Sequence, residues 1–175
     1  MSTIIVASIV VGGVAGICWL LIFIANRQKT KKINRRLHRF SELGTSHQLS
    51  FSSQEVLNNN IVGLDGINRK LLVLTQVGER LFDEYVVDLR EVKNCTVKRS
   101  FGNSTPVDSR SRRAETHIEK LSLQFEFYGD ADPFEIVFYN HIDNNIYHLA
   151  DLEEKANHWQ QILTKMLNRR LQKIG

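Results

Sequence analysis

At 175 residues, 42% of them hydrophobic, 24% charged and two cysteine, the chain has room for one globular domain with an appended segment and lacks the cysteines for a disulfide framework. Its net charge of +4 is unevenly held: residues 27–39 carry seven Lys or Arg and no acid, whereas residues 40–175 carry sixteen Lys or Arg against nineteen Asp or Glu. A mildly acidic globular part excludes the basic-domain class of nucleic-acid binders, so no nucleic-acid partner is expected.

From Thr3 to Asn26 the chain runs for 24 positions without a charged side chain. At about 1.5 Å per residue such a helix reaches roughly 36 Å, against a hydrocarbon core of about 30 Å. The pattern predicts an uncleaved transmembrane helix over residues 1–26, with Ile4 to Ala25 in lipid. A secretory signal fits less well because Met1 to Thr3 offer no charged side chain, and a lipoprotein site at Cys18 is opposed by Ile17. Arg27, Lys29, Lys31, Lys32, Arg35, Arg36 and Arg39 follow at once, and cations so placed stay cytoplasmic. The expected localisation is therefore the cell or plasma membrane, single-pass, with the amino terminus outside, the bulk of the chain cytoplasmic, and membrane lipid as one partner. Ser8, Gly12 and Gly16, four apart, place small residues on one helix face and suggest a homodimer.

Residues 27–44 read as a basic juxtamembrane helix or linker. Ile33, Leu37 and Phe40 recur at helical spacing until Gly44.

Residues 45–175 read as one domain. Ser52, three before Glu55, suggests a capping box for a short helical turn, which Asn58 to Asn60 break. Ile61–Leu64 and Lys70–Thr75 flank Asp65-Gly66-Ile67-Asn68 and predict a hairpin. Phe82–Leu89 and Val92–Phe101 read as strands. Gly102–Glu115 loses hydrophobic pattern and holds Pro106 with Arg110, Arg112 and Arg113, the composition of a loop that could dock a partner. Leu121, Leu123, Phe125 and Phe127 alternate with polar residues, and Phe134, Ile136 and Phe138 answer them across Gly129–Pro133 as a second hairpin, with Val137 and Tyr139 on the other face. Leu149, Leu152, Ala156, Trp159, Leu163, Met166 and Leu167 fall on one face of a closing amphipathic helix.

These elements make an α+β chain: an antiparallel sheet or partly open barrel closed by a long C-terminal helix. The hairpin Ile61–Thr75, the segment Val86-Val87-Asp88-Leu89 leading through Val92, the hairpin Leu121–Tyr139 and the helix with Trp159 together resemble a pleckstrin-homology-like domain over residues 48–173. The resemblance implies a non-catalytic binding or scaffold module presented at the inner membrane face. Phosphoinositide-binding members of that family carry clustered cations on the first hairpin. Here the turn offers only Arg69 and Lys70 beyond it, which favours a protein or peptide partner.

No cofactor and no metal are expected. His141, His148 and His158 with Asp143 match no zinc spacing, and Cys95 has no second Cys at ligand distance. No Gly-rich phosphate loop, G-x-S-x-G elbow or H-E-x-x-H pair occurs. Asp83 with Glu84, Asp130 with Asp132, and Glu153 with Glu154 read as solvated acids. The rival reading is a membrane-tethered enzyme whose site is assembled from residues distant in sequence, which a deep pocket of His or acid groups would reveal.

Overall fold

The computed structural model describes residues 19, 23–24, 27, 30–78, 81–103, 116–129 and 131–171. The chain divides into two compact units, residues 1–47 and 48–175.

In the first unit a helix, α1, is described over 30–46 and so runs past Gly44. It carries Lys31, Lys32, Arg35, Arg36, Arg39 and Glu42, and that charge density is incompatible with a hydrocarbon core. Among the described residues no helix is long and apolar enough to cross a membrane. The expectation of a transmembrane helix over 1–26, and with it single-pass placement in the cell or plasma membrane, is corrected accordingly. Most of that run, including Ser8, Gly12 and Gly16, lies outside the described residues. Of its few described members, Trp19 and Phe23 stack one helical turn apart with ring centroids 5.8 Å apart.

The second unit consists of two antiparallel sheets and one long helix, where the sequence suggested a single bent sheet or barrel. The first sheet has the order β1 (Ser53–Val56), β2 (Asn60–Asp65), β3 (Lys70–Gln76), β4 (Phe82–Asp88). The second has the order β5 (Val92–Asn103), β6 (Thr116–Phe127), β7 (Phe134–Asn140). A 3₁₀ turn, Ile146–His148, leads into α2, Leu149–Leu171. Ser52 does not cap a helical turn: β1 stands there, because its backbone pairs with β2 from Ser53↔Leu64 to Val56↔Ile61. Asp88 links the sheets, accepting from Arg90 N at 2.9 Å through Oδ1 and holding the Arg90 guanidinium. The Arg90 hydrogen bond, aided by its charge, outweighs partial burial and holds the Asp88 carboxyl below the usual carboxylate range.

The facing residues explain why two sheets form. On β2, β3 and β4, Val62, Leu64, Leu71, Val73 and Val87 point to one side and are buried, and they meet Leu121, Leu123, Phe125 and Ile136 of the second sheet. α2 closes this interior with Leu152, Ala156, Trp159 and Leu163, packing chiefly on β5 and also on β6 and β7. Periodicity of 3.6 puts these four on one stripe, which is buried while Glu154 and His158 stay exposed.

Tyr139 departs from simple alternation. It is 2% exposed although two-residue periodicity from Phe134 sends it outward. Leu121 pairs with Tyr139 while Ser122 pairs with Val137, so a bulge inserts Phe138 and turns Tyr139 to the core face.

Asp65 fixes the first hairpin. Its fully buried carboxylate accepts from Ser50 N at 2.9 Å, Ile67 N at 3.0 Å, Asn68 N at 2.8 Å and Asn68 Nδ2 at 2.8 Å. Burial opposes ionisation, but the four hydrogen bonds outweigh it and hold the carboxyl below its ordinary range. The turn is a wide one, with Arg69 in the left-handed region at φ 56, in place of the two-residue turn that Asp-Gly suggests.

Two outcomes are expected from denaturant titrations. Trp159→Ala should cost about 3–5 kcal/mol, the range for emptying a buried indole site. Asp65→Asn should cost about 2 kcal/mol at neutral pH, as for hydrogen bonds to a charged group. Because the folded carboxyl titrates below the unfolded one, the Asp65 contribution is complete above the unfolded value of about 4 and is lost as pH falls through the folded value. The variant should therefore lose less stability than the parent on acidification below pH 4.

Candidate binding cleft and free sheet edge

Three consecutive asparagines build a seam between the two sheets. The turn from β1 to β2 is closed by Leu57 N donating to Asn60 O at 2.8 Å, and Asn59 O accepts from Gln76 N at 2.8 Å. All three side chains then project toward the end of β7. Asn58 Nδ2 donates to Asp143 O at 3.0 Å, Asn59 Nδ2 to Asp143 Oδ2 at 3.2 Å, and Asn60 Nδ2 to Val137 O at 2.7 Å. Within the second sheet β7 pairs with β6 alone, so Asn60 covers part of its outer edge.

The turn that receives them is itself held by asparagine. Asn140 O accepts from Asp143 N at 3.0 Å and Asn144 N at 2.8 Å. Asn144 Oδ1 accepts from Asn140 N at 3.0 Å, and Asn140 Oδ1 from Ile142 N at 3.1 Å.

Between these walls lies a cleft of about 150 Å³ lined by Asn58, Asn59, Asn60, Thr75, Gln76, Val137, Phe138, Asn140, Asp143 and Asn144. Asp143 is its single charged residue. Asn60, only 5% exposed, is among the lining residues, and its Oδ1, itself closed to solvent, has no hydrogen-bond partner. Flipping the amide would set two oxygens against each other at Val137, so the hydrogen-bond network fixes this orientation. Leaving such an acceptor unmet costs on the order of 1–3 kcal/mol.

Thr75 is the cross-strand partner of both Asn60 on β2 and Asp83 on β4, so the three side chains share one face in a row that leads from the cleft to the β4 edge. Among the described residues β4 is hydrogen-bonded to β3 alone, and Asp83, Glu84, Tyr85 and Val86 form an exposed run along it. Of the other outer strands, β5 and β7 pack against α2, and Glu55 of β1 pairs with Lys155 of α2 at 3.3 Å. Tyr85 is held by an aromatic contact with Phe134, centroids 5.2 Å apart.

The residues singled out from sequence fall elsewhere. Lys31, Lys32, Arg35 and Arg39 are exposed on α1, Arg36 is half-buried, and Arg27 sits 5.0 Å over the Phe23 ring. Partial burial lowers the Arg36 pKa. Lys29, Ser8, Gly12 and Gly16 lie outside the described residues, as do Arg110, Arg112 and Arg113. β5 continues through Gly102 and Asn103, two residues into the stretch read as loop, while β6 begins at Thr116, directly after its expected end at Glu115. His141 meets His117 edge-on at 5.7 Å, while His148 lies in the 3₁₀ turn and His158 on α2. Among the described residues no group of three His, Cys, Asp or Glu side chains is placed to hold a metal ion. Burial pushes the Cys95 thiol up to about 12, which leaves it protonated and poorly nucleophilic at neutral pH.

Sequence reasoning read Asn58–Asn60 only as a break. The available signal was three adjacent side-chain amides beside an apolar strand, which demand partners when that strand is buried.

No family model matches the chain, and neither the curated proteins nor the solved structures contain a match.

Asn60→Asp tests the seam. It replaces the donor to Val137 O with a carboxyl that can donate only when protonated. The variant is expected to lose about 3 kcal/mol at pH 7, as for an unpaired buried charge, and to recover part of this near pH 4, as read by chemical denaturation.

Proposed function

We propose that residues 48–171 form a non-catalytic binding module of pleckstrin-homology-like organisation that takes an extended segment of a partner protein along the outer edge of β4. The observation that carries this reading is the β4 edge itself. Among the described residues its seven positions pair on one side only, and along it are exposed both apolar surface, Tyr85 and Val86, and the acidic Asp83. An unpaired strand edge is a template for a further strand, with main-chain hydrogen bonds supplying affinity and alternate side chains supplying selectivity. The strand order of four then three, closed by a helix, supports the family resemblance. The cleft supports binding over catalysis because its lining contains no His, Cys, Lys or Arg, and its one carboxylate, Asp143, accepts from the Asn59 amide.

Selection of a random peptide library on the full chain tests the reading. Enriched peptides should alternate apolar residues with Lys or Arg, and should slow hydrogen exchange along β4. Asp83→Lys should weaken them about tenfold, or about 1.4 kcal/mol. Enriched peptides that bind Asp83→Lys unchanged and protect a different strand would overturn it.

A further inference from the structure

We infer that the β4 edge selects a partner segment in which an aromatic or β-branched residue is followed, two positions later, by Lys or Arg. The segment runs antiparallel to β4, and Tyr85 and Asp83 are the residues that select it. This rests on the edge-binding reading and adds to it a direction, a register and the face on which selection takes place.

The hydrogen-bonding phase of β4 comes first. Leu89 N donates to Arg69 O at 2.8 Å and Val77 N to Leu81 O at 3.0 Å, and both pairs continue the register in which Lys70 faces Asp88 and Gln76 faces Phe82. Hydrogen-bonded and non-hydrogen-bonded pairs alternate along an antiparallel ladder, so Asp83, Tyr85 and Val87 turn their N–H and C=O groups toward β3. Phe82, Val86 and Asp88, at the intervening positions, turn theirs to the outer edge. A strand added there takes its hydrogen bonds from this second set. Asp83 and Tyr85 then stand in the non-hydrogen-bonded pairs, where Cα atoms approach to about 4.5 Å, against about 5.5 Å in the others, and opposing side chains are closest.

These two side chains share the inner face of the first sheet with Val87, which is buried in the common interior. Tyr85 reaches Phe134 of the second sheet, and Phe134 continues the aromatic row to the fully buried Phe125 with ring centroids 5.9 Å apart. Tyr85 nevertheless keeps 44% of its surface exposed. An aromatic or β-branched side chain set opposite covers that surface, a pairing that stabilises antiparallel strands. Asp83 is exposed and is the next residue on this face, and a cation is the favourable partner opposite it. Direction then fixes the order. Every ladder among the described residues is antiparallel, and antiparallel pairing is the more stable per residue. In that direction the partner residue two after the one opposite Tyr85 lies opposite Asp83, so apolar and cationic residues take turns at every second position of its inward face. With the order reversed, a cation opposite Asp83 carries the apolar residue to position 81, past the end of β4.

The probes are short threonine- and serine-based peptides that differ only in order: one places phenylalanine two positions before arginine, the other arginine two positions before phenylalanine. Each is titrated into the full chain, with affinity and amide hydrogen exchange followed by NMR. The phenylalanine-first peptide is expected to bind about tenfold more tightly and to slow exchange at the outward-facing Val86 and Asp88 amides. Asp83→Lys should weaken that peptide, and a third peptide with glutamate in place of the arginine should recover the lost affinity on the Asp83→Lys chain. Equal affinity for the two orders, or no recovery by the glutamate peptide, overturns the register; slowed exchange at Val86 in that case leaves the edge reading standing. Absence of slowed exchange at Val86 with all three peptides rejects the edge reading and this inference with it.

Discussion

Each sheet of residues 48–171 has an apolar inner face that it cannot bury by itself, and the contact between those faces is the constraint from which the rest of the domain follows. Leu71 and Phe125, one from each sheet, are fully buried, as is Leu163 of α2. Fully burying a side chain of this size is worth roughly 1.5–3 kcal/mol, so the seam accounts for far more than any surface ion pair such as Glu55–Lys155. α2 lies against the three-stranded sheet, chiefly on β5, and Trp159, the largest side chain on its buried stripe, serves as the plug of the shared interior.

Closing an apolar seam leaves backbone polar groups at its margins, and the polar side chains found there answer them. Asp65 gathers three backbone N–H groups at the first hairpin, and Asn60 meets a carbonyl on the β7 edge. The two differ in completeness. Asp65 has both oxygens engaged, whereas Asn60 has its nitrogen engaged and its oxygen unmet. The first is therefore a fully met anchor, and the second is an anchor that leaves one buried acceptor unmet.

This difference also shows what could be read in the sequence. The hairpin around Asp65, the alternation from Leu121 to Phe127 and the stripe from Leu152 to Leu163 were legible because strong periodicity coincides there with one-sided burial. β1 was not, because Ser53–Val56 has no apolar alternation and owes its conformation to the ladder with β2. Tyr139 was misassigned because a bulge shifts the period by one, and no local residue announces it. The charge-free run before Arg27 satisfied a length criterion for a spanning helix, but the helix that is described, 30–46, carries five cations between Lys31 and Arg39. The asparagine cleft was invisible for a different reason: its walls are Asn58–Gln76 and Val137–Asn144, brought together only when the two sheets close.

The cations of the first hairpin bear on what the domain recognises. Arg69 stands in a left-handed conformation and its Nη2 donates to Met166 O in the last turns of α2, where the helix dipole favours a cation, so its charge is engaged there. Lys70 is half-buried and sits across the ladder from Asp88, whose carboxylate already holds Arg90. A hairpin whose two basic residues are occupied in this way offers little to a polyphosphate, for which several convergent cations are needed. Among the described residues, the β4 edge and the amide-lined cleft carry carboxylates and amides in place of such cations.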